Sequence, residues 1–166
     1  MWLFLKVVLF TIVMPGTVAV LLPYLVWSRS GSPFPTQWGF PQIAGLSLAL
    51  AGALIYVRCA WDFAHRGRGT PAPIDAPRVL VVEGLYRYVR NPMYLGVLLV
   101  IYGGAIFLES MPVAIYATGW FLIVHAFVVW YEEPTLTEKF GRSYESYRNH
   151  VRRWLPGRVY SGPEMR

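Results

Sequence analysis

Hydrophobic and polar positions fall in long blocks along this chain, with a short extended segment at Val79 to Val81. Residues 2 to 27 are apolar almost throughout, interrupted by Lys6 and by Met14-Pro15-Gly16. The pattern predicts a kinked spanning helix with Trp2 and Trp27 at its ends. The run is too long for the core of a signal peptide and lacks a small-residue cleavage site, so it reads as a retained helix. Ser28 to Phe40 is rich in Ser, Gly and Pro and reads as an exposed loop. Residues 41 to 63 form a second span, with Gly45, Ala49, Gly52 and Ala53 on nearby faces, a spacing that permits close helix packing in lipid.

A third apolar run, Met93 to Leu108, is about 24 Å long as a helix, barely the thickness of a hydrocarbon core of roughly 30 Å. Glu109-Ser110-Met111-Pro112 turns the chain, and Val113 to Tyr131 runs back as the second arm of a hairpin. Beyond it Leu136, Phe140, Tyr144, Tyr147 and Val151 recur at helical spacing, the stripe of an amphipathic helix lying along a membrane surface. The fold class expected is therefore all-α: an integral membrane bundle of four spanning helices with a C-terminal amphipathic interfacial helix. Its segments are 1–63, two N-terminal spans; 64–92, a loop; 93–131, the hairpin; and 132–166, the interfacial helix and tail.

Composition agrees with lipid as the solvent. The 166 residues are 55% hydrophobic and only 14% charged, where a soluble domain carries about a quarter charged residues. The formal charge of +6 is spread at the flanks of apolar segments and not gathered into one patch, which favours anionic headgroups over nucleic acid as the partner. His65, Arg66, Arg68 and Arg78 place their loop on the cytoplasmic side. Four spans then leave both termini cytoplasmic, in an inner or plasma membrane. The single cysteine, Cys59, excludes an internal disulfide and reads as a small core residue. His65 has no partner at ligand spacing, so no metal site is expected.

Two stretches carry candidate chemistry. Glu83 to Gly96, EGLYRYVRNPMYLG, places Arg87 and Arg90 at the mouth of an apolar helix. Asn91 is read as the helix cap, Pro92 as the first helical residue and Tyr94 as facing back toward the loop. Gly84 suits a tight turn and Gly96 a close approach to the helix backbone. The second stretch is the acidic pair Glu132 and Glu133, just before Pro134. The hairpin brings the two together, giving hydrogen-bond acceptors, aromatic faces and a helix amino terminus. This mixture suits a cationic, adenosine-bearing cofactor, and also a phospholipid headgroup or a polyamine. His125 is an expensive polar residue in an apolar helix, either a functional contact or one hydrogen-bonded to a neighbouring helix.

The pattern LVVEGLYRYVRNPMYLG, followed thirty-eight positions after Tyr94 by EEPTLTEKFGRSYESYRNHVRRWLP, resembles the isoprenylcysteine carboxyl methyltransferase family and its relatives the phospholipid N-methyltransferases. The resemblance covers residues 78 to 156 and implies an enzyme that binds S-adenosylmethionine in the cytoplasmic loop 64–92 and methylates a lipophilic acceptor such as an isoprenylcysteine-like carboxylate. It implies cofactor contacts from Arg78, Val79, Leu80, Val81, Tyr86, Arg90, Asn91, Pro92, Met93, Tyr94 and Glu132. Where the acceptor is an amine, Glu133 or His125 is the base. Two departures stand out. Asn91 replaces a histidine common in the family and cannot titrate. Val128 stands where the prenylcysteine enzymes carry an arginine, and no arginine occurs from Met93 to Tyr131. The same residues also admit a phospholipid or small-thiol methyltransferase, or a non-enzymatic membrane scaffold.

Overall fold

The computed structural model describes residues 13–66 and 80–162. All regular structure among them is helical. A π-helical turn, Thr17–Leu21, leads into α1, Leu22–Arg29; α2 is Phe40–Arg66. A short 3-10 turn, Gly84–Arg87, precedes α3, Pro92–Phe107, and α4, Met111–Phe127. A second π-helical turn, Val128–Glu132, carries α4 without a break into α5, Glu133–Phe140, and α6 is Arg142–His150.

The centre of the bundle is the antiparallel pair α2 and α3, and its small residues explain the contact. A Cβ on Gly45 would lie 2.5 Å from the Phe107 backbone nitrogen, and one on Gly52 would lie 2.5 Å from the Gly96 carbonyl oxygen. From the other side, a Cβ on Gly103 would lie 2.5 Å from the Ala49 nitrogen. The two backbones therefore touch directly, as the spacing of Gly45, Ala49 and Gly52 predicts. Lipid offers no hydrophobic gain for helix association, so close van der Waals packing has to supply it. Tyr56, Val97, Ile101, Ala105, Val113 and Ala117 continue this core across α3 to α4.

Both π-helical turns have the same cause. Pro23 and Pro134 lack an N–H, and their rings crowd the carbonyls four residues back, Ala19 and Trp130. In each case the residue before the proline reaches one residue further than an α-helix allows: Leu22 N–H bonds Thr17 O, and Glu133 N–H bonds Val128 O. The chain stays helical with one extra residue in the turn. The kink expected at Met14-Pro15-Gly16 is thus displaced: the helix runs through Gly16 and widens after it. The freed geometry is used, since Tyr116 donates to the Val18 carbonyl at 2.9 Å and ties the first helix to α4.

Two helical segments, Phe40–Asp62 and Met111–Phe140, are long and apolar enough to cross a membrane, and Pro92–Phe107 is a shorter apolar helix. Only 22% of each long window is buried inside the protein. Leu54, Ile115, Leu122 and Ile123 are exposed. A continuous apolar exterior of this extent needs lipid around it. The turn between α3 and α4 is closed by Glu109 in the left-handed region (φ +48°) and by Gln42, which donates to Phe107 O at 3.3 Å and Glu109 Oε1 at 2.8 Å.

The C-terminal stripe differs from expectation. Gly141, at φ +52° and ψ −127°, breaks it into α5 and α6. The stripe also faces inward: Tyr144, Tyr147 and Val151 are buried with Val82 and Tyr160, while Leu136 and Phe140 pack partly against them.

Adjacent glycines on α3 test the packing. Gly103→Ala forces α2 and α3 apart and should lower stability by about 1–3 kcal/mol. Gly104→Ala meets nothing within 4 Å and should be neutral or slightly stabilising, by up to about 1 kcal/mol. Thermal unfolding of the two variants in one detergent reads the contrast.

Candidate active site at the end of the helical hairpin

The site is built on the turn at Gly84, whose φ of +58° is open to glycine at little cost. Asp62 Oδ2 lies against this glycine where a Cβ would stand, and Arg58 Nη2 holds Asp62 Oδ1 at 3.3 Å. The turn delivers Tyr86 to the interior, where its phenol meets the Cys59 thiol. Tyr147 donates to the Tyr86 carbonyl at 2.7 Å. Burial pushes the Tyr86 and Tyr147 phenols above their ordinary range, so both stay protonated donors. Asp62 escaped the reading of the sequence; the available signal was an acid four residues after Arg58 at the end of an apolar helix.

After α6 the chain returns as a strap across residues 87 to 91. Arg90 N–H bonds Arg152 O at 2.9 Å, Gly157 N–H bonds Tyr88 O at 3.0 Å, and Tyr160 N–H bonds Arg87 O at 3.0 Å. Arg87 Nε answers with a bond to Tyr160 O at 2.9 Å. Asn91 takes part in this strap. It occupies the position before α3 and its carbonyl accepts the Leu95 N–H, but its side chain makes no capping bond. Instead Asn91 Nδ2 donates to Arg153 O at 3.2 Å. The expected side-chain cap is therefore replaced by a tertiary bond to the strap.

The two adjacent carboxylates stand in opposite environments. Glu133 is buried and accepts a two-pronged contact from Arg153, Nε to Oε1 at 2.6 Å and Nη2 to Oε2 at 3.0 Å. Arg90 Nη1 adds a third approach at 3.1 Å. The Glu133 bond in turn raises the Arg153 guanidinium above its ordinary range. Among the described residues Glu132, one residue earlier, accepts only the Tyr94 hydroxyl, at 3.0 Å on Oε2. The hairpin thus joins the two predicted stretches through Tyr94 and Glu132, and no described residue donates to the other Glu132 oxygen. Glu133 is committed to two cations and serves as a structural tie; that environment opposes the role of base suggested for it.

The remaining predicted residues divide. Leu80 packs partly against the Val82, Tyr144 and Tyr147 cluster, and Val81 is half-buried beside it. Pro92 is fully buried and Met93 packs on the core between α2, α3 and α4, so both form the wall behind the site. His125 lies deeper on α4 and accepts a hydrogen bond on Nδ1 from Trp154 Nε1 at 2.9 Å; the partner is the strap, not a neighbouring helix. Arg78 and Val79 lie outside the described residues. Arg153 and Trp154 are not among the site residues read from the sequence, where Arg153 counts only as a basic residue of the amphipathic helix; their signal was a basic-aromatic pair following that stripe.

Removing the fork leaves a buried carboxylate with Arg90 as its remaining cation. Arg153→Ala should cost about 2 kcal/mol, with Arg153→Lys intermediate because a lysine keeps the charge but not the paired geometry. A denaturation double-mutant cycle with Glu133→Gln should show coupling of about 1 kcal/mol or more.

The geometry therefore presents a carboxylate that meets only a tyrosine among the described residues, at the mouth of an apolar hairpin, backed by a second carboxylate locked between arginines. No curated protein and no solved structure matches the chain. The sequence model of the phospholipid methyltransferases matches residues 40–143, from the start of α2 through the acidic pair and into α6, which is more than half the chain. This chain belongs to the phospholipid methyltransferase family.

Proposed function

We propose that the protein is an integral membrane methyltransferase that binds S-adenosylmethionine on the cytoplasmic side and methylates a lipophilic acceptor entering from the bilayer. The observation that carries this reading is the division of labour in the acidic pair: Glu133 is neutralised by Arg90 and Arg153, which leaves Glu132 as the available anion beside Tyr94. A carboxylate with an open oxygen suits ribose hydroxyls, and tyrosine faces suit a sulfonium, so the donor set fits the cofactor. When bound, that sulfonium supplies an already activated methyl group, and the protein's own task is alignment and exclusion of water. In this reading Glu132, Tyr94 and the segment from Arg78 to Val81 contact the cofactor. Tyr86, Arg90, Asn91, Pro92 and Met93 hold the wall that these contacts are built on.

The acceptor favoured is a phospholipid amine. Binding of a free carboxylate, as in an isoprenylcysteine, calls for a guanidinium along the hairpin, and Val128, buried at 1% exposure, stands where that arginine would be. An arginine-free lining is no obstacle to an amine, which releases its ammonium proton to water before its lone pair can accept a methyl group. The topology proposed has four spans with both termini cytoplasmic and α6 at the membrane surface, supported by the apolar exterior of the bundle and the basic loop 64–78.

Calorimetry on detergent-purified protein tests the cofactor. Saturable binding of S-adenosylmethionine is expected, abolished by Glu132→Ala and weakened about fivefold by Tyr94→Phe, the loss of one hydrogen bond. Unchanged affinity in Glu132→Ala would remove that residue from the site. Topology is read with Cys59 as a silent background, since its thiol is 0% exposed. A cysteine placed at Ser32 should react with an impermeant maleimide from outside intact cells, and one at Ser161 only in inverted vesicles.

A further inference from the structure

The strap after α6 has a tip that the cofactor site does not use. Its two ends are pinned by backbone bonds to the loop before α3, Arg90 N–H to Arg152 O at 2.9 Å and Gly157 N–H to Tyr88 O at 3.0 Å. Four residues lie between these anchors. Two of them turn inward, Arg153 to Glu133 and Trp154 to His125 and Phe121. The other two, Leu155 and Pro156, face outward, and Leu155 is 65% exposed. Arg152 and Arg158 are exposed on either side of them, and a Cβ on Gly157 would lie 3.9 Å from the Arg152 Cδ, so the stem of that arginine lies along the base of the tip.

The inward pair fixes where the tip stands. Glu133 and Phe121 are twelve residues apart on one continuous helix, roughly 18 Å at 1.5 Å per residue. Neighbouring strap residues reach these two points in opposite directions, so the strap backbone runs beside the stretch between them. That stretch carries exposed Leu122 and Ile123, which need lipid, and then exposed Trp130 and Tyr131, the aromatic rings of a headgroup boundary. The tip thus packs on the same helix segment whose outer side meets the bilayer. An irregular segment stands in the headgroup region when few of its backbone groups need water. Here Asn91 Nδ2 meets Arg153 O, Pro156 has no N–H, and Gly157 N–H is bonded.

We propose that the strap tip is a membrane-interface contact: Leu155 and Pro156 enter the headgroup and upper acyl region of the cytoplasmic leaflet, and Arg152 and Arg158 bind the phosphates of anionic lipids. The chemistry is that of an amphipathic surface element, with apolar side chains just below a ring of cations. Arginine stems lie along apolar surface while their guanidinium groups reach the phosphates. This contact takes the place of the one expected from the C-terminal stripe, whose Tyr144, Tyr147 and Val151 are turned into the protein. Because Arg153 in the same tip holds Glu133, lipid contact and the order of the acidic pair are joined through one short segment. The proposal rests on the bilayer embedding and not on methyl transfer.

The test uses the whole protein in nanodiscs of phosphatidylcholine with and without phosphatidylglycerol. Leu155→Cys, Ile123→Cys and Asn149→Cys are made singly at exposed positions, with buried Cys59 as a silent background. Each carries a bimane fluorophore, quenched from the lipid by doxyl groups at an upper or a middle position of the acyl chain, or from water by iodide. Leu155→Cys and Ile123→Cys should be quenched several-fold more by doxyl lipid than Asn149→Cys on α6, and iodide should reverse the order. Lipid quenching at position 155 should rise when phosphatidylglycerol is added, and the rise should be lost when Arg152→Gln and Arg158→Gln are combined. Quenching of Leu155→Cys that follows Asn149→Cys overturns the proposal, while lipid quenching of Ile123→Cys keeps the bilayer embedding intact. If Ile123→Cys also follows Asn149→Cys, the embedding itself is overturned. A phosphatidylglycerol response that survives loss of both arginines overturns their role as the anion contacts.

Discussion

A carboxylate buried at the end of an apolar helix has to be met by cations, and the remainder of the site follows from how Glu133 meets them. Arg90 arrives from the loop before α3 and Arg153 from the strap after α6. One buried anion therefore ties together three parts of the chain that are far apart in sequence. Leaving it unpaired would cost far more than ordering the strap. Once Arg153 is in place, its carbonyl receives Asn91 and its neighbour Trp154 reaches His125. The adjacent Glu132 meets, among the described residues, only the Tyr94 hydroxyl.

Proline supplies the geometry that makes this division possible. In a regular α-helix, successive residues differ by about 100° in direction. Without the widened turn ahead of Pro134, Glu132 and not Glu133 would point along the line of His125 toward the strap. The extra residue exchanges them, sending one acid to the arginines and the other to Tyr94. The first helix uses the same device at Pro23, where it frees the Val18 carbonyl for Tyr116 and docks the helix on α4. In both places a missing N–H has become a tertiary contact and not a break.

The bundle itself depends on the bilayer. Its apolar side chains point largely outward, and its tightest internal contact is backbone on backbone between α2 and α3. A protein in water would reverse that arrangement, burying side chains and spacing helices by them. The polar chemistry gathers at one end of the hairpin, where the helix start of α3, the widened turn of α4 and the strap converge.

The sequence by itself determined the apolar segments, the start of α3 at Pro92, the turn at Glu109-Ser110, the small-residue contact face of α2 and the meeting of the Asn91–Tyr94 stretch with the acidic pair. These follow from local rules, since hydropathy, proline, glycine spacing and hairpin connectivity act within a few turns of chain. Only the tertiary structure decided that Asn91 bonds the strap instead of capping its helix, that the C-terminal stripe breaks at Gly141 and faces the Val82 cluster, and that Glu133 is locked while Glu132 is open. Each of these depends on partners more than fifty residues away or on the opposite arm, or on a rotation of one residue inside a helix. No local pattern records either, because an acid, an asparagine or a tyrosine stripe carries the same signal whether its partner is solvent, lipid or another part of the fold.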